Sequence, residues 1–160
     1  MVNLGFHSVR ISGEYERIYN FLLRGSPPRI KSVFPQHTHT FVLMAVVGCM
    51  SGNRTELRSP KELLKAQYFS EEETTILTSI ALHAKGFSTY PSEVLRNSKE
   101  IITLAEQYAD YGMQVFCNEL FGSPEAFVKL IETESVELQE LTADILKWVL
   151  SKSSTARLKD

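Results

Sequence analysis

The residues with chemistry to offer in this chain are four histidines, two cysteines, a run of glutamates and a scatter of arginines. Spacing limits what each can do. His37 and His39 are the histidines closest in sequence, and on a helix they point about 160–200° apart, so both cannot hold one ion. In an extended arm they can, but no third Cys, Asp or Glu follows at ligand spacing. His83 precedes Lys85 near the end of an expected helix, where a cation suits the negative pole. Cys49 and Cys117 lie inside apolar runs, which suits buried free thiols in a reducing compartment rather than nucleophiles or a disulfide framework. Glu71-Glu72-Glu73 follows Ser70 and reads as helix capping. No serine stands in G-x-S-x-G. The stretch Gly48-Cys49-Met50-Ser51-Gly52-Asn53-Arg54 lacks the Lys and Ser/Thr of a phosphate cradle. These residues predict no catalytic set, no metal and no cofactor; a dispersed hydrolase or toxin site is the enzymatic alternative.

The basic residues are better placed. Arg24, Arg29 and Lys31 precede the most apolar stretch of the chain, and Asn53, Arg54 and Arg58 follow it. Residues 1–61 carry eight Lys and Arg against three acids, and residues 62–160 carry nine against sixteen. Such an asymmetry marks a charged partner surface, a phosphate-contacting patch, or two solvated faces that differ in sign. If the fold gathers the six residues, the surface binds a partner protein or, sequence-independently, DNA.

The elements that must position them start from Phe41–Met50, ten apolar or small residues in a row. Periodicity alone leaves strand and helix open for such a run, and Val42, Val46 and Val47 are β-branched. Pro35-Gln36-His37-Thr38 reads as a helix start, and Gly48 and Gly52 bracket a stop. The run is short of the roughly 20 residues a membrane span needs. It predicts an inner helix in which Ala45 and Gly48 let neighbouring backbones approach.

The rest reads as cover. Residues 1–12 suggest a short strand or extended arm. Tyr15, Ile18, Tyr19 and Leu22 form a helical stripe, with Ser12 as its cap. Ser26-Pro27-Pro28 is a stiff connector, and Ile30, Val33 and Phe34 tuck toward the core. Ser59-Pro60-Lys61-Glu62 predicts a short helix through Leu63 and Leu64 to about Tyr68, and Ser70-Glu71-Glu72-Glu73 opens a second; the pair predicts a helical corner. Further helices are expected around Ser92–Leu95, from Ser98 to Gly122, from Ser123 through Ile131, and over Leu138–Val149. Gly112 sits inside the longest of these at a cost of about 1 kcal/mol against alanine, which implies close packing or a bend.

At 160 residues, 43% hydrophobic and 22% charged, the chain suits one domain that buries roughly two thirds of its unfolded surface. The expectation is an all-α fold: a compact single-domain bundle of about six or seven helices around a buried central helix. It occupies residues 1–150, with 151–160 as a polar, frayed tail. The first residues carry no basic start followed by an apolar core, so no signal peptide is expected, and the protein is expected in the cytoplasm, away from membranes.

Phe41-Val-Leu-Met-Ala-Val-Val-Gly48 followed by Asn53-Arg54-Thr55-Glu56-Leu57 resembles the DNA phosphorothioation-associated protein 4 family, in which an apolar F-x-x-A-A-x-x-G helix runs into a basic R-x-x-L turn. Leu104-Ala-Glu-Gln-Tyr-Ala109-Asp-Tyr-Gly112 is similar to that family's A-E-x-Y-A-x-x-G helix, and Ile80-Ala81-Leu82 looks like its I-A-L helix. The likeness spans roughly residues 15 to 130. Pro27-Pro28, His37-Thr38-His39 and the final helix with Trp148 depart from it. The resemblance implies a small, non-enzymatic accessory or adaptor protein. Its setting would be a bacterial system that places sulfur in the DNA backbone and restricts unmodified DNA against phage. The implied partners are protein components of that system; direct DNA binding by the basic N-terminal third is the alternative. The family brings no catalytic residues to carry over.

Overall fold

The computed structural model describes residues 2–24, 33–86 and 91–157. Seven helices are assigned: α1 (Glu16–Arg24), α2 (His37–Ser51), α3 (Glu71–Lys85), α4 (Pro91–Arg96), α5 (Ser98–Phe121), α6 (Pro124–Glu132) and α7 (Leu138–Arg157). Two short strands, β1 (Ser8–Ser12) and β2 (Pro60–Lys65), form one antiparallel ladder. Among the described residues the fold is all-α apart from this ribbon.

The decapeptide is helical, and α2 is the inner helix. Phe41, Met44 and Ala45 are fully buried, with Val42 and Val47 nearly so. A helix apolar on every side has no solvated stripe to offer and must be enclosed. Gly52 closes it in the left-handed conformation (φ 74°), its N–H donating to the Cys49 carbonyl. The main partner of α2 is α5. At their crossing a methyl group on Gly48 would fall 1.9 Å from the Tyr108 carbonyl oxygen, and one on Gly112 would fall 1.8 Å from that of Met44. Neither position tolerates a side chain, because backbone meets backbone in both directions. Gly112 therefore serves close packing.

The same apolar core continues to the far end of α5. Phe116 meets Trp148 of α7 edge-on at 5.2 Å, and Phe121 stacks on Phe127 of α6 at 3.8 Å. Trp148 Nε1 donates to Glu119 at 2.6 Å, and Lys152 reaches the other oxygen of that carboxylate at 2.6 Å.

Three sequence expectations need correction. Residues 60–65 form a strand, not a helix. Ser59 adopts φ 47°, outside the extended conformation of a helix cap, and Pro60 to Lys65 pair with Ser12 to Ser8 across a bulge between Val9 and Arg10. An isolated helix of two turns is marginal, whereas the ladder satisfies this backbone with a segment some fifty residues earlier. The expected helical corner is thus strand, 3-10 turn (Ala66–Tyr68) and helix. Only the second capping box forms, with Ser70 and Glu73 exchanging bonds of 2.8 and 3.1 Å.

Ser12 does not cap α1; it ends β1, and its hydroxyl turns to Asp110. The long helix begins at Ser98 as expected, and Asn97 caps it through a 3.1 Å bond from Glu100 N–H. The stretch expected as a frayed tail is helical through Arg157. Pro27, Pro28 and Ile30 lie outside the described residues.

Candidate functional site

The six basic and polar residues singled out above have unequal fates. Arg29 and Lys31 lie outside the described residues, and of Arg24 only its place at the end of α1 is described. Asn53, Arg54 and Arg58 stand together on the exposed loop 52–59 that joins α2 to β2. Arg54 lays its guanidinium over the Tyr108 ring, 5.9 Å from the centroid, with no acidic partner within ion-pair distance among the described residues. Asn53 reaches the Ser51 carbonyl at 3.3 Å and the Tyr111 hydroxyl at 3.5 Å.

Exposed loops tend to be loose. This one is tied down by α5. Thr55 N–H donates to the Gln107 carbonyl at 3.2 Å, and Thr55 Oγ1 donates to Asp110 Oδ2 at 2.7 Å. Asp110 Oδ1 accepts from Ser12 Oγ at 2.5 Å, and that same Ser12 oxygen accepts from Arg58 N–H at 3.0 Å. Gln107 Nε2 donates to Glu56 at 2.9 Å. One buried carboxylate thus joins helix, strand and loop.

One helical turn earlier, Glu106 repeats the arrangement. Its carboxylate, 2% exposed, accepts from Arg10 N–H at 2.9 Å and pairs with the Arg10 guanidinium at 3.2 Å. That hydrogen bond, and next the negative charge itself, push Arg10 further above its usual pKa. The geometry follows from two periods. Residues i and i+2 of a strand are about 6.7 Å apart on one face, and residues i and i+4 of a helix about 6 Å. Arg10 and Ser12 of β1 therefore register against Glu106 and Asp110 of α5.

The same helical stripe continues through Gln114 and Asn118. Together with Glu14, Tyr15, Thr55, Arg58, Asp110 and the start of α6 at Ser123, Pro124 and Glu125, these line an open cleft of about 260 Å³. Its floor is Asp110 and the Tyr15 ring; Glu14, Arg58 and Glu125 stand exposed at its rim. Burial first, then the charges of Asp110 and Glu14, hold the Tyr15 phenol well above the usual tyrosine range, with Arg58 pulling the other way. The phenol is a neutral donor and acceptor at any ordinary pH. The charges around Arg58 are thus largely negative.

Glu106, Asp110 and Tyr15 were not among the residues singled out from sequence. The signal was the four-residue spacing of Glu106, Asp110, Gln114 and Asn118 along the longest helix. A polar stripe of that kind ordinarily faces water. Here a strand and a loop cover its first half.

The other candidates resolve more simply. His37 and His39 diverge: His37 packs edge-on to Tyr19 with ring centroids 6.3 Å apart, and His39 faces Glu73 at 3.9 Å. Among the described residues, no group of three His, Cys, Asp or Glu is placed to hold a metal ion. Both cysteines are free thiols. Burial raises the pKa of each, Cys117 to about 12 with Glu125 and Glu14 adding to the effect. Among the described residues no helix is long and apolar enough to cross a membrane.

Set against known proteins, the chain matches no family model, no curated protein and no solved structure.

Proposed function

We propose that this protein is a non-enzymatic accessory or adaptor of a bacterial DNA phosphorothioation and anti-phage restriction system, acting in the cytoplasm through contacts with that system's proteins. One observation carries the adaptor reading: loop 52–59 is fixed by a buried carboxylate and by backbone bonds at Thr55, Arg58 and Ser59 while it holds Asn53, Arg54 and Arg58 toward solvent. A loop ordered before binding loses less entropy when a partner docks, and arginine is favoured at the centre of protein interfaces. The cellular setting rests on the resemblance of residues 41–57 and 104–112 to the phosphorothioation-associated family.

Direct DNA binding is the second reading, favoured by Arg54, whose charge no acid among the described residues neutralises at ion-pair distance. Arg58 speaks against it, because Glu14, Asp110 and Glu125 around the same cleft repel phosphate. Co-expression with the modification and restriction proteins of a phosphorothioation system tests the choice. The adaptor reading expects a complex that survives purification and is lost in an Arg54→Glu, Arg58→Glu double variant that still folds. Identical recovery by wild type and variant overturns the proposed surface. A DNA complex at micromolar protein that weakens steeply with salt would favour the second reading instead.

A further inference from the structure

We propose that the cleft between α5, the start of α6 and the loop after α2 receives a guanidinium group carried by a partner protein. This deepens the adaptor reading and rests on it for the source of the ligand. The first ground is Tyr15. The residue is 4% exposed and lines the cleft, yet no group among the described residues hydrogen-bonds its hydroxyl. The ring is buried, but the hydroxyl is not among the enclosed polar atoms, so it meets the cleft and can bond whatever enters.

The second ground is the excess of acceptors. Asp110 takes one bond on each oxygen, from Ser12 and Thr55, which leaves acceptor capacity on a carboxylate that lines the cleft. Glu14 and Glu125 at the rim have no ion-pair partner among the described residues, and the amides of Gln114 and Asn118 stand beside them. Three carboxylates outweigh the one cation, Arg58, so an entering anion meets repulsion and an entering cation attraction.

Shape and chemistry narrow the cation. At about 260 Å³ the space lies below the roughly 300–1,000 Å³ of small-molecule sites, which suits the end of a side chain. Guanidinium offers five donors in a planar fork and is weakly hydrated; ammonium offers three and is strongly hydrated. A cleft whose acceptors are spread over α5, α6 and the loop fits the fork.

Calorimetric titration of the full chain with N-acetyl-arginine methylamide, N-acetyl-lysine methylamide and free L-arginine tests this without any partner. The capped arginine is expected to bind in the millimolar range. Tyr15→Phe, which keeps the ring and the fold, should weaken it about threefold to tenfold, as loss of one hydrogen bond does. Glu125→Gln should weaken it to a similar degree. No heat from capped arginine up to about 50 mM overturns the site, as does binding unchanged in both variants. Lysine binding as well as arginine overturns the guanidinium assignment. Free L-arginine binding clearly more tightly than the capped form overturns the partner-borne source in favour of a small molecule. A silent titration beside an intact, Arg54-dependent complex condemns the cleft alone; binding of the probe without any complex condemns the adaptor reading alone.

Discussion

Helix α5 has two working faces, and they are built on opposite principles. Toward α2 it presents Gly112 and the Tyr108 backbone, where even a methyl group has no room. Toward β1 and the loop after α2 it presents Glu106 and Asp110, each buried and each joined to several donors. The first face is apolar, close-packed and indifferent to pH in the ordinary range. The second is polar and depends on every donor being in place, because a buried carboxylate without partners is strongly unfavourable. The first face holds the bundle together. The second decides how the loop and the cleft are displayed.

The largest expected effect is on the first face. Gly112→Ala or Gly48→Ala should destabilise the protein by about 3 kcal/mol or more, since the obstruction is backbone and cannot rotate away. Chemical denaturation checks this, and a shift of under about 0.5 kcal/mol would mean the crossing is looser than described. On the second face, Glu106→Gln should cost about 2 kcal/mol. It removes the charge opposite Arg10 and leaves one amide group imperfectly matched. The value is below that of a fully buried pair because Arg10 is half exposed. Should the two substitutions cost the same, the contrast between the faces is wrong.

A smaller effect sharpens the comparison from outside it. Burial works to raise the pKa of Glu119, but hydrogen bonds from Lys152 and Trp148 outweigh it and hold the carboxyl below its usual value. A depressed carboxyl contributes fully above its unfolded value and loses that contribution as pH falls through the folded one. Docking of α7 should therefore loosen from about pH 4.5 downward. Trp148 is the only tryptophan, so its fluorescence reports the change directly. In Glu119→Gln that acid transition should be absent while the α2–α5 crossing is untouched. A transition of equal size in the variant would remove Glu119 from the explanation.

The first face was largely legible in sequence and the second was not. An unbroken apolar decapeptide between a helix start and a glycine stop favours an enclosed helix over a strand, and a glycine inside a long amphipathic helix narrows the choice to a close approach or a bend. Both follow from composition over a short window. The identity of β2 was hidden because Ser59-Pro60-Lys61-Glu62 carries every local sign of a helix start, while its ladder partner stands near the other end of the domain's first half. Glu106 and Asp110 were hidden for a related reason. Their spacing places them on one stripe, but only the register of β1 against α5 decides that the stripe is covered. Of the basic residues, Arg54 and Arg58 fell on the expected turn. The acids that surround Arg58 come from α5, α6 and the start of the chain, and no single window of sequence contains them.

Everything proposed for the loop depends on Asp110 holding it in place. Residue-resolved hydrogen exchange of wild type and Asp110→Asn measures that directly. The amides of Thr55 and Arg58 should be protected in the wild type and exchange at least about tenfold faster in the variant, while those in the middle of α2 keep their protection. Thr55 and Arg58 exchanging at the rate of an open chain in the wild type would contradict the account.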